Sequence, residues 1–183
     1  RFGKWNDILT SPDPGDSYTY LKMIWNYTRG IAFTRKGNIK EAEEELLQLK
    51  SRDKELGHEN IAKVAYEVLK GEILAASGNL KEGIEHLKIA VSYEDELPYD
   101  EPAVWYIPTR QHLGRLLLND KQFAQAEEVY RQDLEYYRLN GWSLTGLYQS
   151  LIGQGKLEEA AKTKDAFNIA WENADIEISS SVM

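Results

Sequence analysis

Residues 37–46 have the sequence G-N-I-K-E-A-E-E-E-L, and similar stretches recur along the chain. Residues 78–87 are G-N-L-K-E-G-I-E-H-L, residues 121–130 are K-Q-F-A-Q-A-E-E-V-Y, and residues 155–164 are G-K-L-E-E-A-A-K-T-K. A weaker copy, G-K-W-N-D-I-L, begins at residue 3. Such self-similarity predicts an architecture of stacked, repeated units.

Each copy has the periodicity of an amphipathic helix. In the first copy, Ile39, Ala42, Leu46 and Leu49 fall on one helical face. The Gly-Asn pairs with which the first two copies begin are typical of a turn that ends a preceding helix. Apolar, helix-forming stretches do lie upstream of the copies, at residues 21–36, 61–77, 109–120 and 142–154. We therefore predict four helical pairs, in which each copy is the second helix.

Glycine lies inside three of the upstream stretches, at Gly30, Gly71 and Gly114. Because glycine within a helix costs about 1 kcal/mol relative to alanine, three at one register suggest a packing role. We expect them to let the two helices of a pair approach closely. We expect Gly83→Leu to destabilise the fold, because a large side chain there would force the helices apart. Gly83→Ala is expected to be neutral or stabilising, because alanine is the better helix former.

Five equivalent small or apolar positions set the register, and they are Ile8, Ala42, Gly83, Ala126 and Ala160. Their spacings are 34, 41, 43 and 34 residues. Two of the four match the period of about 34 residues that is typical of the tetratricopeptide repeat (TPR). Gly30, Phe33, Gly37, Ala42 and Leu46 match the motif of that repeat in order, and the chain resembles the TPR family over nearly its whole length. The resemblance implies an all-α fold, a right-handed α-α superhelix of about four helical hairpins.

The resemblance also suggests a division of the chain. A half repeat and linker occupy 1–16, repeats 1 and 2 occupy 17–56 and 57–92, and an acidic, Pro- and aromatic-rich connector occupies 93–108. Repeats 3 and 4 occupy 109–140 and 141–175, and a tail occupies 176–183. Residues 99–114, Y-D-E-P-A-V-W-Y-I-P-T-R-Q-H-L-G, followed by N-G-W-S-L from residue 140, are similar to the C-terminal region of long, uncharacterised bacterial repeat proteins.

Two further expectations concern the ends of repeats. The third repeat should begin with a kinked or broken helix, because Pro102 suits a helix start, with Asp100 or Glu101 as its cap, and Pro108 would then lie within the first turns. The half repeat should leave Trp5, Ile8 and Leu9 partly uncovered, since its partner helix would precede residue 1. We expect the native protein to continue upstream, and self-association could occur through this end.

Composition excludes several classes of protein. The chain has 183 residues, no cysteine and a net charge of -8, so disulfides and thiolate sites are absent and sequence-independent nucleic-acid binding is disfavoured. No stretch is apolar enough to insert in a membrane. We expect a soluble protein, cytoplasmic or periplasmic. His58, His86 and His112 lack the spacing of a metal site, so no metal or cofactor is predicted.

The acidic connector admits two interpretations. It carries five carboxylates between residues 94 and 101, followed by Trp105 and Tyr106. It could dock a basic partner, but its spacing does not fit a calcium loop. The interpretation we favour is a solvent-exposed connector whose aromatic end packs into the core.

In the TPR family the first helix of each pair lines a concave groove that binds the ligand. The positions of this chain that match are Tyr27, Ile31, Val68, Glu72, Gln111, Arg115, Thr145 and Gln149. They do not reproduce the Lys, Asn and Arg clamp by which chaperone-binding members hold a C-terminal carboxylate. The resemblance implies a non-catalytic scaffold that binds a peptide or helix of a protein partner in this groove. Two alternatives stay open, an accessory region of a larger enzyme and a self-assembling structural segment.

Overall fold

The computed structural model describes residues 2–52 and 59–183, and the regular structure in these ranges is entirely helical. In chain order, the described helices are α1 (Trp5–Leu9), α2 (Thr19–Arg35), α3 (Ile39–Arg52), α4 (Glu59–Ala76), α5 (Leu80–Asp95), α6 (Thr109–Asn119), α7 (Phe123–Tyr136), α8 (Gly141–Gly153) and α9 (Leu157–Ala170). The prediction of an all-helical chain with four helical pairs is confirmed.

The turns inside the four pairs share one geometry. A residue with positive φ follows each first helix, and these residues are Gly37, Gly78, Lys121 and Gly155. The next residue donates its backbone N–H to the carbonyl five positions earlier, as Asn38 does to Phe33 at 2.9 Å. This is the Schellman motif, which satisfies carbonyl groups at a helix end. Glycine suits three of these positions because it has no Cβ to oppose a left-handed backbone.

The register derived from the sequence places small residues at the centre of each pair. The equivalent positions Ala42, Gly83, Ala126 and Ala160 are all buried. At Gly83 the backbones of α4 and α5 come so close that an added Cβ would lie 2.7 Å from the carbonyl oxygen of Gly71. The predicted close approach at Gly83 is confirmed. The expectation that Gly83→Ala is harmless is wrong, because even one methyl group would collide with a backbone atom.

The glycines within the first helices differ in what they approach. Gly71 faces Gly83 and Leu87 of its own pair, as expected. Gly30 on α2 instead lies against the side chain of Leu69 on α4, so it allows close packing between successive pairs. The expectation that Gly30 lies against α3, the other helix of its own pair, is therefore wrong, because its neighbour is on α4.

The start of the third pair agrees with the expected absence of a continuous helix over residues 103–118, but it differs in where the helix begins. Residues 100–108 are not helical, and α6 begins at Thr109, directly after Pro108. The backbone N–H of Thr109 donates to Glu94 Oε2 at 2.8 Å. Pro108 thus precedes the helix, where its missing N–H costs nothing, instead of kinking it. Asp100 and Glu101 do not begin a helix.

The described chain forms two compact units, an N-terminal unit of residues 2–109 and a C-terminal unit of residues 110–183. In the N-terminal unit, α1 is only five residues long and packs against α2. Arg29 Nη1 donates to the carbonyl of Leu9 at 2.9 Å, which holds the end of α1 in place. Trp5, Ile8 and Leu9 are half-buried, which agrees with the expectation of partial exposure.

Candidate peptide-binding surface

In the N-terminal unit the four predicted groove residues are buried. Tyr27, Ile31, Val68 and Glu72 have at most 8% of their surface exposed. Glu72 lies on α4 and forms an ion pair with Arg35 of α2, with 2.7 Å between Oε2 and Nη1. Burial disfavours the charge of Arg35, but Glu72 outweighs this effect and raises the pKa of Arg35. These residues therefore join α2 to α4 in the structure.

The connector covers part of this surface. Trp105 is 2% exposed and packs edge-on against Tyr27, with 5.0 Å between ring centroids. Burial raises the pKa of Tyr27 well above its usual range, and the nearby Tyr106 and Glu72 add to the effect. Tyr99, in the acidic part of the connector, is 86% exposed. The favoured interpretation of the connector is confirmed for Trp105, which lies in the core, whereas Tyr106 is 47% exposed.

In the C-terminal unit the predicted residues have different environments. Gln111 is buried, and its Nε2 donates to Ser143 Oγ at 2.9 Å and to Asp133 Oδ2 at 3.2 Å. Thr145 donates to the carbonyl of Gly141 at 2.8 Å within α8. Arg115 and Gln149 are half-buried. Gln111 is thus held rigidly between α7 and α8, and Gln149 keeps its side chain at the surface.

A non-helical segment of the chain lies across Gln111 and Gln149. We call residues 175–183 the return segment, because it follows the end of α9 and passes back over α8 and α6. Gln149 Nε2 donates to the carbonyl of Ser179 at 2.7 Å. Ser181 is 1% exposed, and its Oγ donates to the carbonyl of Gln111 at 2.9 Å. Two of the predicted groove residues therefore contact a peptide segment of the same chain.

Tyr130 of α7 is the third element of this contact. Its hydroxyl lies 2.7 Å from Ser181 Oγ, and the residue is fully buried. The ring passes between Gly114 on α6 and Gly146 on α8, where any side chain would overlap it. Burial raises the pKa of Tyr130, so the hydroxyl keeps its proton and can donate it to Ser181. The two glycines explain how a residue of a second helix reaches the face formed by the first helices.

The return segment is directed by Trp171, the residue after α9. The Trp171 ring packs edge-on against Trp142 with 5.9 Å between centroids, and it stacks on Phe167. Its Nε1 donates to the carbonyl of Ile176 at 2.8 Å. Gly141 leaves room for the ring, because a Cβ there would overlap it. The aromatic cluster thus fixes the point from which the segment leaves α9.

The sequence predicts none of four further residues at this surface, which are Tyr130, Trp171, Ser179 and Ser181. Tyr130 matches a core position of the repeat, and Trp171 lies beyond the last repeated stretch. The return segment has no repeat counterpart. One signal in the sequence was Gly146, because it is a glycine inside a first helix, as Gly114 is. In the structure both glycines lie against Tyr130.

A second group of polar residues surrounds a cavity in the N-terminal unit. The cavity, of about 420 Å³, lies beside α2 and α3 and is lined by Asp16, Lys22, Trp25, Asn26, Glu44, Glu45 and Gln48. Glu45 already accepts hydrogen bonds from Asn26 at 2.6 Å and Arg29 at 2.7 Å. Its carboxylate therefore has a structural role in holding α2 to α3.

The histidines do not come together in the part of the chain that the structure describes. Within it, no three His, Asp or Glu side chains are grouped as a metal ion would need. His86 Nδ1 lies 2.5 Å from Glu67 Oε2, His112 is buried on α6, and His58 lies outside the described residues. No described helix is both long enough and apolar enough to span a bilayer.

Comparison with known proteins identifies the fold. No protein-family model matches the sequence, and no curated protein matches it either. A crystal structure from Podosopora anserina, assigned as a kinesin light chain with nearly identical TPR-like repeats, has a TM-score of 0.61. It is 18% identical, and the match covers 94% of this chain and 83% of that chain. A crystal structure of a substituted variant of the same protein gives a TM-score of 0.61 at 19% identity, covering 91% and 80% of the two chains.

These similarities extend over both units. They do not support the more specific resemblance to bacterial repeat proteins. At this level of identity they show the fold and not the function. The helical pairs, the shared turn geometry and the solved structures agree with one another. The chain therefore has the fold of the TPR-like helical repeat proteins, as its sequence predicts.

Proposed function

We propose that the protein is a non-catalytic interaction scaffold, and that the face formed by α6 and α8 binds an extended peptide of a protein partner. TPR-like folds generally serve protein interaction, and stacked repeats provide extended surfaces for it. The observation that carries the proposal is the return segment itself. A non-helical stretch of polypeptide already lies on this face and contacts Gln111 and Gln149, two of the residues predicted to contact a ligand.

The contacts suit recognition of a peptide backbone. Gln149 donates to a main-chain carbonyl, a group that every residue of a partner peptide supplies. The main-chain carbonyl of Gln111 lies within α6, and the Gln111 side chain is held by a buried network with Ser143 and Asp133, so the carbonyl offers a fixed acceptor. Rigid polar groups of this kind lose little entropy on binding. The surface can therefore hold an extended ligand without rearrangement of the helices.

The proposal is tested by selecting peptides from a random displayed library against the full chain. Selected peptides should lose affinity about fivefold or more for Gln149→Glu, because a carboxylate repels the carbonyl that Gln149 Nε2 binds. The matched control is Gln125→Glu, the same chemical change at an exposed position of α7. Selected peptides that bind both variants as they bind the unmodified chain would contradict the proposed site.

A further inference from the structure

We propose that the return segment is a built-in occupant of the peptide site, and that the site selects an extended ligand with a small hydroxyl residue where Ser181 lies. This inference rests on the proposed function, because it states which ligand the same surface prefers and what that ligand must displace. The return segment is an internal competitor, so the full chain is partly closed to partners until the segment leaves.

Selection for a hydroxyl follows from the two groups that meet Ser181. The Gln111 carbonyl can only accept a hydrogen bond, and it lies 2.9 Å from Ser181 Oγ. Tyr130 donates its hydroxyl proton to the same oxygen at 2.7 Å. Of the small side chains, only a hydroxyl can donate and accept at one atom. Alanine would deprive the buried Tyr130 hydroxyl of this acceptor, which is the arrangement by which sites reject analogues that lack a hydroxyl.

Size adds to the selection. Ser181 is 1% exposed, so its side chain fills the space that the site provides. The Tyr130 ring that forms the floor of this space is wedged between Gly114 and Gly146 and has no room to withdraw. A large side chain at the position of Ser181 would therefore not fit, and we expect Ser and Thr to be accepted.

Displacement is feasible because most of the return segment is not buried. Its backbone is held at the carbonyls of Ile176 and Ser179, and Ser181 is its one buried residue. Asp175, Glu177 and Ser179 are exposed. Segments with few buried apolar contacts and exposed backbone hydrogen bonds open at low free energy. A free ligand must still compete with a tethered segment whose effective concentration is roughly in the millimolar range.

The segment can be expelled by one substitution with a closely matched control. Ser181→Glu places a charged, larger side chain against the Gln111 carbonyl and should release the segment. Ser179→Glu introduces the same charge two residues away, on a side chain that is exposed, and leaves the Ser179 carbonyl for Gln149. Hydrogen exchange of residues 172–183, followed by mass spectrometry, should increase in Ser181→Glu alone, while circular dichroism shows unchanged helicity in both.

The probe is a fluorescein-labelled synthetic peptide with the sequence of residues 174–183, titrated into each full-length chain. We expect it to bind Ser181→Glu at least tenfold more tightly than the unmodified chain or Ser179→Glu. A second peptide with alanine in place of the serine at position 181 should bind Ser181→Glu at least tenfold more weakly than the first. A third peptide with threonine there should bind within threefold of the first.

Each outcome decides one part of the proposal. Equal binding of the peptide to Ser181→Glu and to the unmodified chain would show that the segment does not close the site. Equal binding of the serine and alanine peptides would exclude selection for a hydroxyl. If a folded Ser181→Glu chain binds none of the peptides, the whole inference is wrong. The proposed function would survive that result if library-selected peptides still depended on Gln149.

Discussion

At Gly83 the backbones of α4 and α5 lie close together, because glycine has only a hydrogen atom where other residues have a side chain. This residue therefore limits how the two helices can pack. An added Cβ would lie 2.7 Å from the Gly71 carbonyl oxygen and 3.2 Å from the backbone nitrogen of Ala75. Neither atom can move without shifting α4. Such overpacking costs about 1–3 kcal/mol, which outweighs the gain of about 1 kcal/mol that alanine brings to a helix.

We therefore expect Gly83→Ala to lower the free energy of unfolding by about 1–2 kcal/mol, measured by urea denaturation with an unchanged m-value. The control is Glu82→Ala, the exposed neighbour on the same helix, which should change stability by less than about 0.5 kcal/mol. A Gly83→Ala variant as stable as the unmodified chain would mean that α4 and α5 are further apart than described.

Lys121 is the exception among the four turns inside the pairs. Its φ is +59°, a left-handed conformation in which the other three turns use glycine. A residue with a Cβ is destabilised by about 1–2 kcal/mol in this conformation. Glycine removes that cost, but it also increases the entropy of the unfolded chain, which offsets part of the gain in stability. Lys121→Gly should therefore raise the free energy of unfolding by about 0.5–1 kcal/mol in thermal or urea denaturation. Lys121→Ala removes the same charge but keeps a Cβ, so an equal gain from both variants would contradict this explanation.

At the scale of helices, Glu127 joins α7 to the turn between α8 and α9. Its carboxylate accepts hydrogen bonds from Lys156 Nζ and Gln154 Nε2, both at 2.7 Å, and from Arg131 Nε at 2.9 Å. Burial alone would raise its pKa, but these donors outweigh it and lower the pKa of Glu127 to about 2. Because the folded pKa is below the ordinary value of 4.5, the stabilisation is complete above that pH and is lost as the pH falls towards 2.

Glu127→Gln should therefore lower the free energy of unfolding by about 1 kcal/mol at neutral pH, a modest value because Lys156 and Arg131 are partly exposed to water. The difference from the unmodified chain should shrink as the pH falls from about 5 to about 2. Urea denaturation at a series of pH values measures this, with the exposed Glu128→Gln as control. A difference that does not depend on pH would show that the charge of Glu127 is not the cause.

The sequence predicts the helices of the repeats but not the positions of the segments outside them. Helices were predictable because apolar residues recur with a helical period and small residues mark each pair, as at Ala42 and Ala126. The non-helical segments have no such period. Trp105 could be assigned to the core by its size, but the position of the connector over Tyr27 depends on tertiary packing. Ser181 lies in a polar run that carries no hydrophobic signal, so nothing local indicates that it is buried against Tyr130.

At the scale of the molecule, the chain consists of two compact units whose stabilising contacts can be altered separately. The neighbours of Gly83 that an added Cβ would meet, Gly71 and Ala75, lie in the N-terminal unit. The partners of Glu127 all lie in the C-terminal unit. Substitutions that share no partner usually have additive effects to within about 0.3–0.5 kcal/mol.

We therefore expect the double variant Gly83→Ala/Glu127→Gln to lose the sum of the two single losses at neutral pH, to within about 0.5 kcal/mol. The comparison is a double-mutant cycle measured by urea denaturation on the full chain. Gly83→Ala combined with Gly71→Ala provides the opposite case, because the two glycines face each other and one displacement of α4 relieves both collisions. That pair should depart from additivity by more than about 0.5 kcal/mol. Coupling in the first pair as large as in the second would mean that strain at Gly83 reaches the hydrogen bonds of Glu127, contrary to the separate contacts of the two residues.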